Sequence, residues 1–186
     1  HKALAIDSLS VYVQLEGDIQ FAKQDYPAAL VSYEKVNRTN LASPATFFSA
    51  AKTMELMNAD PKAVLAVMDS CVAHCPQPIS ADNAPYVLER AQMNMNAGEY
   101  RSAMLDYDTY FKAVDGQVND VFYYYREQAE FKARQYQRAL DDIAKAIELN
   151  PKELTYRAEQ AVINLRVGRY EEALKVLDEV LAIDPK

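Results

Sequence analysis

The sequence predicts an all-α fold, a superhelical stack of five antiparallel helix pairs, and three observations predict it. A pattern of bulky and small residues near the C-terminus recurs at an offset of about 34 residues, long enough for a helix, a turn and a second helix. Alanines of that pattern return along the chain at near-constant intervals, and twelve residues before each stands a residue that is small in four cases of five. The chain has only four glycines and eight prolines in 186 residues, against average usages of about 7% and 5%, which argues against an all-β fold built on tight turns.

The template is clearest in the last third, where Tyr136, Ala139, Ile143, Ala146 and Pro151 are followed by Tyr170, Ala173, Leu177, Val180 and Pro185. The same spacing finds Tyr26, Ala29, Tyr33 and Val36 near the start, then a degenerate copy at Asp60, Ala63, Val67 and Ser70, then Tyr100, Ala103, Tyr107 and Tyr110. Ala29, Ala63, Ala103, Ala139 and Ala173 therefore follow one another at the same interval in the first and last steps and at two different, longer intervals in between. Their first-half counterparts are Gly17, Ala51, Ala91, Glu127 and Ala161. Small side chains on both helices let two backbones approach closely, which is why an antiparallel pair would repeat this pattern. Glu127 breaks the rule and is expected to hold its pair slightly apart.

The bulky residue opening each second helix fills the gap between successive pairs. Between helices stand Gln24-Asp25, Asn58-Ala59, Gly98-Glu99, Arg134-Gln135 and Gly168-Arg169; Gly and Asn suit the left-handed residue that ends a helix. Pro151 and Pro185 stop second helices. Six extra residues fall in the Pro- and Asn-rich stretch Pro76–Pro85, expected to be an ordered connector, and two more near Asp115-Gly116. The units so defined are 10–43, 44–83, 84–119, 120–153 and 154–186, in one repeat domain covering 1–186, with 1–9 a helical extension.

Period, alanines, tyrosines and prolines together resemble the tetratricopeptide repeat family, whose unit is a helix-turn-helix of about 34 residues. The resemblance covers about residues 10 to 186 and is weakest in the second unit, where Asp60-Pro61 replaces the aromatic. It implies a right-handed superhelix whose first helices line a concave groove that holds an extended peptide or partner helix.

Composition narrows the function. With 27 acidic and 20 basic residues and a formal charge of -7, no stripe of Lys and Arg can follow a phosphate backbone, so nucleic acid is not expected as a partner. No apolar run reaches the roughly 18 to 20 residues of a membrane span, and no charged-then-apolar signal segment opens the chain. A catalytic site needs a nucleophile with its base, paired carboxylates, a metal cluster or a phosphate cradle. The chain has no Gly-rich loop, HExxH, GxSxG or CxxC, so neither an enzyme nor a cofactor is expected.

Two clusters invite a second reading. Cys71, His74 and Cys75 fall on one helix face, the latter two lying three and four places after the first, as soft-metal ligands could, but structural zinc wants four ligands. The cysteines read better as small buried apolar residues. Phe122, Tyr123, Tyr124 and Tyr125 span a full turn, so they cannot all share one buried face. Either three pack and one is simply exposed, or Tyr124 lines the groove as an amphipathic anchor. Glu148, Lys152, Glu171, Glu172 and Lys175 read as a solvated face.

Counting outward from the packing positions, the groove is expected to present Gln14, Asp18 and Phe21; Phe48, Lys52 and Glu55; Leu88, Gln92, Met95 and Asn96; Tyr124, Gln128, Phe131 and Lys132; and Val162, Leu165 and Arg166. Of these, Lys52, Gln92, Asn96, Tyr124, Gln128, Lys132 and Arg166 are the candidate binding residues. Gln92 and Gln128 hold equivalent places, a ladder suited to a peptide backbone because amides both donate and accept. Some members of the resembled family clamp acidic C-terminal tails with Lys, Asn and Arg. Gln14, Asp18, Leu88, Gln92 and Tyr124 stand at those places, so no such clamp is expected. The alternative to groove binding is a structural spacer or oligomerising segment that uses its ends. Leu174, Val176, Leu177, Val180, Leu181 and Ile183 make the last helix apolar beyond one contact face, so this end is expected to meet further repeats, a cap or another copy.

Overall fold

A computed structural model of the chain describes residues 2–183, with side chains over 10–182. These residues form ten α-helices and no strand, grouped in two compact units, His1–Ala97 and Gly98–Lys186. The first holds α1 (Lys2–Ala22), α2 (Tyr26–Asn37), α3 (Pro44–Leu56), α4 (Pro61–Ala73) and α5 (Ala84–Ala97). The second holds α6 (Tyr100–Ala113), α7 (Asp120–Lys132), α8 (Tyr136–Leu149), α9 (Leu154–Arg166) and α10 (Tyr170–Ile183). Within each unit every helix packs on the next in sequence. The helices follow the five-pair order of the repeats, the third repeat giving α5 to the first unit and α6 to the second.

The starts of α2, α3 and α4 are fixed by side-chain caps. Asp25 accepts a hydrogen bond from the Ala28 amide at 3.3 Å, Asp60 from Ala63 at 3.3 Å, and Ser43 forms a reciprocal box with Thr46. Each satisfies an amide left free in the first turn, and a proline at N1 or N2, where no donor is missed, follows each cap. First helices end in a left-handed residue at one register: Gln24 (φ 63°), Asn58 (φ 53°), Arg134 (φ 63°) and Gly168 (φ 79°). Gly98 (φ 80°) does the same after α5. The following amides bond back five residues, Asp25 to the Gln20 carbonyl at 2.9 Å and Gln135 to that of Glu130 at 2.7 Å. The turn therefore forces Gln24 and Arg134 into a region that costs a side-chain-bearing residue roughly 1 kcal/mol.

The small residues are buried as their spacing predicts. Ala29, Ala51, Ala91, Ala103 and Ala139 are fully buried, with Ala161 and Ala173 nearly so. At Gly17 even a methyl group is excluded, because a Cβ would stand 2.8 Å from the Tyr33 ring. The second repeat corrects the expected register by one residue: Ala63 is exposed, and Val64, Met68 and Cys71 are buried in its stead. The cause is local, since Ala59 adds one residue between left-handed Asn58 and the cap Asp60, whereas elsewhere the cap follows directly. Val64 thus takes the place of Ala29 and Met68 that of Tyr33.

One boundary also differs from expectation. α5 already includes Ala84 and Pro85, so the connector ends at Asn83, and it is pinned by buried Ile79. α8 ends at Leu149 with Asn150 as its C-cap directly before Pro151, as expected, while Pro185 and the Ile183 side chain lie outside the described residues.

Candidate functional site

The candidate residues lie on two faces, one in each unit. On the first, the Lys52 ammonium from α3 stands 2.6 Å from Glu55, one turn on, and 2.6 Å from Glu89 of α5. Burial alone would lower its pKa, but the bonds to Glu55 and Glu89 outweigh burial and raise it. Lys52 therefore stays charged and already occupied, with Asp18, Phe21 and Phe48 sharing its pocket. Beyond Glu55, exposed Asn96 borders a cavity of about 420 Å³ with Asn58 on its polar side and Pro61, Val64 and Met93 on its apolar side. Gln92 lies one turn before Asn96 and is exposed. The structure thus joins Lys52 and Asn96 through Glu55.

On the second face, Tyr124 and Gln128 are half-buried on successive turns of α7. The Tyr124 ring lies 5.2 Å from that of Tyr156 on α9. Burial, and then the charge of Glu159, raise the Tyr124 pKa, while a hydrogen bond with Gln128 opposes them. Lys132 is exposed one turn further, and Arg166 is exposed at the end of α9. Of the four consecutive aromatics the solvent-facing one is Tyr125, 38% exposed. Phe122 packs on Tyr110 and Tyr123 on Phe111, each with centroids 5.1 Å apart.

Cys71, His74 and Cys75 do not converge. Both cysteines are buried and free, with the Cys71 thiol donating to the Pro44 carbonyl at 3.1 Å. His74 is exposed as the C-cap of α4, its ring 4.5 Å from Phe47. Burial pushes the Cys71 thiol up to about 12, which keeps it an unreactive thiol. Its register is that of Val36, a core position.

The second unit also holds a partly buried charge network that sequence periodicity did not reveal. Arg126 on α7 donates to both carboxylate oxygens of Asp142 on α8, at 2.6 and 2.8 Å, and to Asp108 on α6 at 3.1 Å. Its guanidinium lies 3.8 Å from the centre of the Phe111 ring. Arg138 joins Asp108 at 2.6 Å and Glu130 at 2.8 Å. Bidentate Arg–carboxylate geometry with an aromatic underneath makes this an ordering device for three helices. The sequence signal was the four-residue spacing of Arg126 to Glu130 and of Arg138 to Asp142, which reads equally well as a solvated face.

Recurring helix pairs, small residues at their contacts and left-handed turns at a fixed register define a helical-repeat protein. Residues 80–180, more than half of the chain, match the family model described as anaphase-promoting complex, cyclosome, subunit 3. The chain belongs to that family, within the tetratricopeptide repeats. Tetratricopeptide repeat protein 28 of Mus musculus is 35% identical over 117 residues, 62% of this chain and 5% of that protein. A TPR repeat-containing protein of Methanocaldococcus jannaschii is 22% identical over 98% of this chain and 32% of its own length. This chain therefore spans a minor part of both relatives. Among solved structures, MamA from Desulfovibrio magneticus has a TM-score of 0.69 at 14% identity, covering 95% of each chain. YrrB, a TPR protein with an unusual peptide-binding site, has a TM-score of 0.73 at 12% identity over 94% of this chain and 86% of its own. These structures share the fold. No helix among the described residues is long and apolar enough to cross a membrane.

Proposed function

We infer that this chain, whose family and fold are those of protein-interaction scaffolds, binds a peptide or partner protein through its first-helix faces. Lys52, Gln92 and Asn96 form the first face, and Tyr124, Gln128, Lys132 and Arg166 the second. The observation that carries this reading is the cavity beside Asn96. It has an apolar floor of Val64 and Met93, both buried, and a polar rim of Glu55, Asn58 and Asn96. Such a combination accepts one apolar side chain and fixes its backbone through amides. The second face offers the same ingredients in Tyr124 and Gln128, an aromatic body beside a donor and acceptor.

Charge favours a neutral or basic ligand. Lys52 is outnumbered by Glu55 and Glu89, so a free terminal carboxylate arriving there meets net negative charge. The test is to pan a random-peptide library against the chain and measure the selected peptides on two double variants, Gln92→Ala/Asn96→Ala and Tyr124→Ala/Gln128→Ala. At least one is expected to weaken binding about tenfold, the equivalent of about 1.4 kcal/mol. Unchanged affinity in both, or a selected pool dominated by acidic C-terminal tails, would place binding elsewhere.

A further inference from the structure

Near the turn between its two helices, every repeat but the second carries an apolar residue followed by a tyrosine: Phe21 and Tyr26, Met95 and Tyr100, Phe131 and Tyr136, Leu165 and Tyr170. In the first and fourth repeats the two rings meet edge to face, with centroids 5.6 Å apart in both. The second repeat has neither partner. Glu55 follows Ala51 where Phe21 follows Gly17, and Pro61 precedes Val64 where Tyr26 precedes Ala29. The place of the missing ring is open: Glu55 and Pro61 both line the cavity of about 420 Å³ beside Asn96. That volume falls within the roughly 300–1,000 Å³ of small-ligand sites.

The walls of the cavity select its occupant. Its floor, Val64 and Met93, is apolar and buried, which suits the flat body of an aromatic ring. Its rim bears the amides of Asn58 and Asn96 and the Glu55 carboxylate, a set that both donates and accepts hydrogen bonds. Lys52 already holds Glu55 at 2.6 Å, so a neutral hydroxyl suits this rim better than a second cation. An apolar ring with one hydroxyl at its tip is the side chain of tyrosine, the residue that the other repeats keep at this place. We propose that the cavity receives a tyrosine side chain of the bound peptide, which completes the second repeat from outside. The proposal rests on the peptide-binding reading above and deepens it by naming the residue that the first face selects.

Methyl NMR of the chain with labelled methionines tests this with two probes: p-cresol, which is the tyrosine side chain alone, and toluene, the same ring without the hydroxyl. On the unaltered chain p-cresol is expected to shift the Met93 methyl signal saturably, and toluene to need a concentration about threefold higher for the same effect. Pro61→Tyr, which restores the repeat's own ring, is expected to weaken the p-cresol response about tenfold, with circular dichroism melts confirming its fold. Equal responses to the two probes, no saturable shift with p-cresol, or an undiminished response in Pro61→Tyr would each overturn the proposal, and the first two need no variant. Peptides selected in the library panning above separate this proposal from the broader reading. They are expected to carry a tyrosine and to bind Pro61→Tyr about tenfold more weakly than the unaltered chain. Selected peptides that bind both proteins equally overturn the tyrosine cavity and leave peptide binding standing, whereas a library that yields no binder overturns both.

Discussion

Glu127 shows how one residue can depart from a repeat and still be absorbed by it. It stands where Gly17, Ala51, Ala91 and Ala161 keep helix pairs close, yet it is only 1% exposed, and one carboxyl oxygen has no hydrogen-bond partner. Burial first, and then the charges of Glu159, Glu130 and Asp142, push its pKa up to about 8. The folded chain thus binds this proton more tightly than the unfolded chain does. The resulting stabilisation is complete below about pH 4.5 and is lost as pH rises through about 8. Glu127→Gln, which keeps the shape and cannot ionise, is expected to stabilise the fold by about 1–3 kcal/mol above that range. It should also flatten the decline of stability with pH, read by urea unfolding at several pH values. If variant and parent lose stability in parallel as pH rises, another group carries the dependence.

At the scale of the element, the left-handed turn is more regular than its residues. Gly168 and Asn58 suit it by chemistry, but Arg134 holds φ 63° because the amides of Arg134 and Gln135 bond back to Phe131 and Glu130. Arg134→Gly is expected to raise stability by about 0.5–1 kcal/mol, since relief of the strained backbone exceeds the added freedom of the unfolded chain. Thermal melts of the two proteins check it, and a lower melting temperature for the glycine variant would show that the Arg134 side chain contributes more than the turn costs. The same turns explain what was legible in the sequence. Period and small residues placed all ten helices, because pairing at close range keeps them at most of the paired sites. The slip in the second repeat was hidden because one inserted residue, Ala59, moves the buried set from Ala63 to Val64 while leaving Ala, Val and Ser in plausible places. The face residues followed from the helical period, but the bridge from Lys52 to Glu89 joins residues 37 apart and has no local signature. The same holds for Arg126, whose partners Asp108 and Asp142 lie on two other helices.

Across the molecule, stability within each unit is built from neighbour on neighbour, so protection should follow how many faces of a helix are covered. α8 is covered by α7 and α9 and buries Ala139, Leu140, Asp142, Ile143 and Ala146. α10 packs on α9, and of its described side chains only Ala173 is buried. Opening α10 exposes little apolar surface, whereas opening α8 breaks two helix contacts and uncovers the partners of Arg126 and Arg138. Hydrogen-exchange mass spectrometry should therefore find α10 amides exchanging at least ten times faster than those of α8. A tenfold ratio corresponds to about 1.4 kcal/mol of difference in local opening. Equal protection of the two helices would mean that the second unit opens only as a whole, and that its outermost helix is held by something other than the one face it shares with α9.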